Sequence, residues 1–147
     1  MTWRSLLLAG AALALTAMAF HPQAYAQHPA AAPNPLGMEV RHIHIWVADV
    51  ERTKAFYRDK LGFPVANETP GAVVEFSGLW FGKWRGQGPI PTGGITIGIA
   101  AKSVEAAYNE LKKRGVALPN PPAPMRDEWA FTFQDPDGYE IEVEGPK

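Results

Sequence analysis

The chain runs through one order of elements twice. EVRHIHIWVA (39–48) alternates polar and apolar side chains as a half-buried strand does. VERTKAFYRDKLG (50–62) follows with a helical apolar stripe at Val50, Thr53, Ala55, Phe56 and Leu61, with Asp49 at the N-cap and Gly62 at the C-terminal stop. FPVANET, GAVVEFSG and LWFGKW are three short strand candidates with turn residues between them. After the connector RGQGPIPTGG (85–94) the order returns. ITIGIAA is a strand, KSVEAAYNELKKRG a helix between Ser103 and Gly115, and VALPN, EWAFTFQ and YEIEVEG are three more strands. Matching the two first strands by facing sets Thr96 at the position of His42 and Ile97 at that of Ile43. The expectation is an α+β fold of two β-α-β-β-β modules, about 40–88 and 93–145. Each helix must cover an apolar sheet face, and Ile43/Ile45/Val47 and Ile95/Ile97/Ile99 supply those faces.

The residues ahead of the repeat have another character. Arg4 in MTWR, the apolar run SLLLAGAALALTAMAF (5–20) and Ala24-Tyr25-Ala26 read as a secretory signal peptide over 1–26, with Gln27 as the new N-terminus. The run is shorter than the ~20 residues of a spanning helix, which argues against an uncleaved anchor. QHPAAAPNPLGM (27–38) reads as a Pro/Ala-rich tether, leaving 39–147 as the domain. The expected location is periplasmic or secreted, with no stable membrane anchor after cleavage. A chain without cysteine has no disulfide, no thiol nucleophile, no thiolate metal site and no lipid-anchoring cysteine. A net charge of −1 without a basic stripe argues against nucleic acid and for a small-molecule partner.

The second face of the strands is where chemistry can sit. Alternation puts His42, His44 and Trp46 together on one face, and Glu140, Glu142 and Glu144 together on the last strand. Trp80 and Trp84 share a strand face. With Trp46 and Trp129 they exceed what the core of so small a domain needs, so they are candidates for stacking a flat ligand, with core and dimer contacts as the alternative. Lys83, Arg85 and Arg126 are candidates to hold an anionic group at the mouth of a cavity, or are solvated charges. Asp135-Pro136-Asp137-Gly138 reads as a structural turn, because Pro pre-sets it and Gly takes the positive φ.

Two stretches carry a family resemblance. RHIHIWVADVERTKAFYRDKLGF (41–63) resembles the opening of the vicinal oxygen chelate superfamily, in which a strand with His leads to V-x-D and a helix with F-Y and L-G-F. FQDPDGYEIEV (133–143) resembles its closing signature. The superfamily includes glyoxalase I, extradiol dioxygenases, fosfomycin-resistance enzymes, methylmalonyl-CoA epimerase and bleomycin-binding proteins. The resemblance covers residues 40 to 145. It implies a glyoxalase-like curved mixed sheet around a concave cavity, a homodimer, and a metal site built from the first and last strands of the modules.

Residue by residue, His42 matches the first-strand ligand and Glu142 the final carboxylate. Thr96 stands where a second-module histidine is expected, and LWFGKW offers no carboxylate for the remaining position. Three protein ligands are the working minimum for a Lewis-acid site. His44, on the face of His42, supplies a substitute. His42, His44 and Glu142 then form a two-histidine, one-carboxylate triad for zinc, iron, nickel or manganese, with Glu75 or Glu140 as proton carrier.

Two functions stand open. One is a metal-dependent lyase, isomerase or dioxygenase acting on a small oxygen-rich or aromatic molecule. Glyoxalase I chemistry itself fits less well, since glutathione belongs to the cytosol. The other is a metal-free binding or sequestering protein of the bleomycin-resistance type. Its ligand would lie among Trp46, Trp80, Trp84, Thr96, Arg126 and Trp129.

Overall fold

A computed structural model describes residues 35, 36, 38 and 41–147. The segment read as a signal peptide (1–26) and nearly all of that read as a tether (27–38) lie outside the described residues. The first module runs β1 (Ile43–Val47), α1 (Val50–Ala55), β2 (Asn67–Thr69), β3 (Val73–Phe76) and β4 (Leu79–Lys83). The second runs β5 (Thr96–Ala100), α2 (Val104–Lys113), β6 (Ala123–Met125), β7 (Glu128–Gln134) and β8 (Glu140–Gly145). Each module makes a four-stranded mixed sheet, in the orders β1-β4-β3-β2 and β5-β8-β7-β6. The first and last strands of a module pair in parallel, and the remaining pairs are antiparallel. A parallel pair needs a long crossover, which the helix and the intervening hairpin provide.

The aliphatic faces fill the core as alternation requires, except at the strand starts, where Ile43 and Ile95 are exposed because the covering helices do not reach them. Ile45, Val47, Val74, Phe76 and Phe81 are buried in the first module, and Ile97, Phe131, Phe133, Ile141 and Val143 in the second. The Asp49 carboxylate caps α1 by accepting from the backbone N–H groups of Glu51 (2.9 Å) and Arg52 (3.1 Å). The sequence implies one regular helix to Leu61. Instead the chain widens after Ala55 into a π-helical turn over Phe56–Lys60, closed by Leu61 N–H on the Phe56 carbonyl at 3.2 Å. That turn lets the neighbours Phe56 and Tyr57 both pack against the core, with Tyr57 fully buried. A second departure is VALPN, which is not a strand. Val116 is buried behind α2, and Pro119, Pro121 and Pro122 remove ladder donors until Ala123. Pairing to β7 begins there, across a turn in which Arg126 takes φ 53°.

The β7–β8 turn reaches across to the first module. Asp137, whose side chain is 1% exposed, accepts from Ala48 N–H (2.9 Å), Arg52 Nη2 (2.8 Å) and Thr53 Oγ1 (3.1 Å). Tyr139 Oη donates to the Trp46 carbonyl at 2.8 Å. Inside the turn, Asp135 accepts from the N–H groups of Asp137 and Tyr139, both at 2.9 Å, and from Tyr57 Oη at 3.3 Å. The turn therefore fixes the far end of β1 as well as reversing the chain. Among the described residues no helix is long and apolar enough to cross a membrane.

Candidate functional site: a histidine–tryptophan face

Strand register decides which side chains meet. His44 lies opposite Trp80, Trp80 opposite Glu75, and Glu75 opposite Asn67. The next row is Trp46, Gly82, Val73 and Thr69. Partners in register point to the same side of a sheet, so both rows face away from the core that Ile45 and Phe81 fill. On this face the rings form a chain. His42 stacks on Trp80 with centroids 4.7 Å apart and planes inclined by 23°. His44 stacks on Trp46 at 4.4 Å and 26°, and Trp46 meets Trp84 at 6.1 Å and 60°. The two imidazoles stand edge to face with centroids 6.4 Å apart.

Two glycines make room for these rings. A Cβ on Gly82 would stand 2.1 Å from His44 Nε2, and one on Gly86 would stand 2.1 Å from a carbon of the Trp84 ring. Trp84 is held further by its indole N–H on the Gly88 carbonyl at 3.3 Å. Burial, together with the nearby His42, lowers the pKa of His44, so this imidazole stays neutral at neutral pH. Glu75 is half-buried beside Trp80, and its carboxylate has no hydrogen-bond or ion-pair partner among the described residues. Sequence reasoning singled out the histidines and tryptophans but passed over Gly82 and Gly86. For Gly82 the signal was available in LWFGKW, since a glycine inside a strand often marks a close approach.

The other residues singled out from sequence sit elsewhere. Thr96, Glu140 and Glu142 lie on the open face of the second sheet, where Thr96 Oγ1 donates to Glu140 Oε1 at 2.8 Å. Trp129 packs partly against the core, with Lys147 Nζ 4.3 Å from its ring centroid. Arg126 is exposed in the β6–β7 turn. Lys83 pairs with Val47 and so turns to the side opposite Trp80, while Arg85 is exposed in the connector. A cleft of about 450 Å³ opens between β1 and β5 on their aliphatic side, walled by Ile43, Ile45, Tyr57, Phe63, Ile97 and Ile99. Among the described residues that line it, the titratable side chain is Tyr57, a phenol whose pKa is pushed up by burial and by the adjacent Asp135.

The donor set was tested for a metal. Among the described residues no three His, Cys, Asp or Glu side chains are grouped to hold an ion. His42 and His44 belong to the first sheet and Glu142 to the second. A zinc-like ion lies about 2.1 Å from each ligating nitrogen, so two cis imidazoles have centroids roughly 5 Å apart. At 6.4 Å between centroids the pair is too open for a facial triad. The single chain does not fit the metal that the resemblance implies.

Comparison with known proteins places the fold. The sequence profile of the Glyoxalase/Bleomycin resistance protein/Dioxygenase superfamily matches residues 39–143. The chain belongs to this superfamily. A protein of unknown function from Agrobacterium tumefaciens str. C58 is 29% identical with a TM-score of 0.64, over 74% of this chain and 94% of that one. A lactoylglutathione lyase from Agrobacterium tumefaciens shares 20% identity and a TM-score of 0.58, over 72% and 92%. An antibiotic-binding protein from Streptomyces sp. CB03234 shares 24% and 0.60, over 75% and 97%. No curated protein sequence matches the chain.

Members of the Glyoxalase/Bleomycin resistance protein/Dioxygenase superfamily often hold a divalent metal, and strand register relates the corresponding strands of the two modules here. Counted back from the helix caps Asp49 and Ser103, His44 corresponds to Gly98. His44 pairs with Trp80 as Gly98 pairs with Glu142. Trp80 thus occupies, in the first module, the place that Glu142 holds in the second.

Proposed function

We propose that this protein is an exported, small-molecule-binding member of its superfamily that captures a flat aromatic compound on the His42/His44/Trp46/Trp80/Trp84 face without a metal. The observation that carries the reading is the ring chain itself. Five aromatic side chains lie in sequence on an open sheet face, preset by Gly82 and Gly86 and anchored at Trp46 by Tyr139. A rigid aromatic platform loses little side-chain entropy on binding, and stacking is worth about 1–3 kcal/mol per ring. The antibiotic-binding relative shows that the same fold serves a binding role elsewhere. The test is quenching of tryptophan fluorescence by planar compounds in the presence of EDTA. Saturable binding supports the reading, and binding only after a divalent metal is added defeats it.

A second reading rests on the strand edges. β1 and β5 each end a sheet, and the exposed Ile43 (54%) and Ile95 (42%) lie beside them. A second copy that paired its β5 with this β1 would set its Gly98 next to His44 and its Glu142 one strand further, about 10 Å from the His44 backbone. Gly98 has no side chain to intervene, and nothing lies within 4 Å of where its Cβ would be. In such a homodimer His42 and His44 of one chain and Glu142 of the other would be the ligands of a metal-dependent lyase, isomerase or dioxygenase. Thr96, engaging Glu140, would border that site. Elemental analysis and sedimentation of the purified protein decide this reading: a dimer with near-stoichiometric metal supports it, and a metal-free protein that takes up none refutes it.

A further inference from the structure

Resting on the metal-free binding reading, we propose that the ligand of the ring face is an organic cation, a planar heteroaromatic compound with a fixed positive charge, for which Glu75 is the counter-ion and Trp46, Trp80 and Trp84 are the π-contacts. Indole faces carry negative potential and attract cations more strongly than other side-chain rings. Trp46 and Trp84 meet at 60° with centroids 6.1 Å apart, which makes an aromatic corner and not a flat stack. Trp80, one row along, lies directly opposite Glu75.

The charges of this module are divided between its two sides. On the helix side every cation in an ion pair has its acid: Lys54 holds Glu51 and Glu68, Arg52 holds Asp137, and Arg58 holds Asp59. Glu68 pairs in register with the buried Val74, so it too belongs to that side. Alternation turns Arg41 away from His42, and Lys83 away from Gly82 and Trp84. Among the strand residues of the ring face, Glu75 is left as the carrier of formal charge, with His42, His44, Asn67 and Thr69 as polar neighbours. The Glu75 carboxylate has no protein partner among the described residues, which leaves it open to a cation lying over Trp80. An anionic ligand would meet this carboxylate and three electron-rich ring faces, so the anion-holding role that the sequence offered to Lys83 and Arg85 is not the one this face supports.

The experiment is calorimetric titration of the whole protein, at neutral pH and low salt with EDTA, against three ligands of one shape: quinoline, N-methylquinolinium and quinoline-2-carboxylate. N-methylquinolinium is expected to bind about tenfold more tightly than quinoline, and the carboxylate more weakly than either. In Glu75→Gln the cation-to-neutral ratio is expected to shrink to about threefold, while Glu105→Gln, on the exposed start of α2, keeps the original ratio. Because the readout is a ratio within one variant, partial unfolding does not imitate the result. Equal binding of quinoline and N-methylquinolinium, or a ratio unchanged in Glu75→Gln, overturns the charge assignment and leaves the stacking face intact. Failure of all three ligands to bind overturns the binding reading and this inference with it.

Discussion

Replacing Gly82 with alanine should separate binding from stability. Gly82 has no positive φ, so alanine fits its backbone conformation. The added Cβ would lie 2.1 Å from His44 Nε2, about 1.3 Å inside ordinary contact, and 3.0 Å from Cε1. A backbone-fixed Cβ cannot yield, so the imidazole must leave its stack on Trp46. That stack contributes about 0.5–1.5 kcal/mol. Alanine in a strand regains about 0.5–1 kcal/mol over glycine, because the unfolded chain has less freedom to lose. The two effects nearly cancel, and the unfolding free energy should change by less than about 1 kcal/mol. Binding has no such compensation. Losing one ring of the platform at about 1–3 kcal/mol weakens a stacked ligand by roughly tenfold or more. Urea denaturation gives the first quantity and calorimetry the second, with the His44 ring resonances reporting the displacement. Unchanged affinity in a variant whose His44 has moved would refute the role of the imidazole as part of the platform.

Other substitutions test the frame and the face. Asp137→Ala leaves Ala48 N–H, Arg52 and Thr53 without a shared buried acceptor, and should cost about 3 kcal/mol in urea denaturation; a loss under about 1 kcal/mol would mean the turn does not tie the two modules together. Burial raises the Asp135 pKa above its unfolded value, so the folded state holds that proton more tightly and ionisation costs stability as pH rises through the folded pKa. Wild type should therefore gain stability relative to Asp135→Asn as pH falls from about 7 to about 4, and a difference that does not vary with pH would contradict this. Trp80→Ala, which also removes the stacking partner of His42, should weaken aromatic ligands by about tenfold while Trp129→Phe leaves them unchanged; equal effects of the two would show that the ring face is not the site.

The parts of the fold that were legible from sequence are those set by local rules. Alternation in HIHIWV assigned both faces of β1, and Asp49, Ser103 and the terminal glycines marked the two helices. Non-local competition was not legible. The π-turn at Phe56–Lys60 exists because Tyr57 must reach the core and Asp135, a contact made 78 residues away. VALPN has strand-like composition, yet burial of Val116 and the following prolines move the strand to Ala123. At the site, the sequence named His42, His44 and Glu142 as a metal triad and Trp46, Trp80 and Trp84 as stacking residues, with a metal-free binding site as the alternative. Which sheet each donor joins is set by strand order, and that order puts the imidazoles and the carboxylate on different sheets. Asp137, read as a turn residue, is also a buried acceptor that holds α1.

The most direct single measurement is a tryptophan-fluorescence titration with N-methylquinolinium in EDTA, run on wild type and on a Trp46→Ala/Trp80→Ala double variant. Saturable quenching in wild type without metal, and its loss in a double variant that still melts cooperatively, is the expected result. Quenching that survives in the double variant, or that appears in wild type only after zinc, iron, nickel or manganese is added, would contradict the assignment of the ring face as a metal-free binding site.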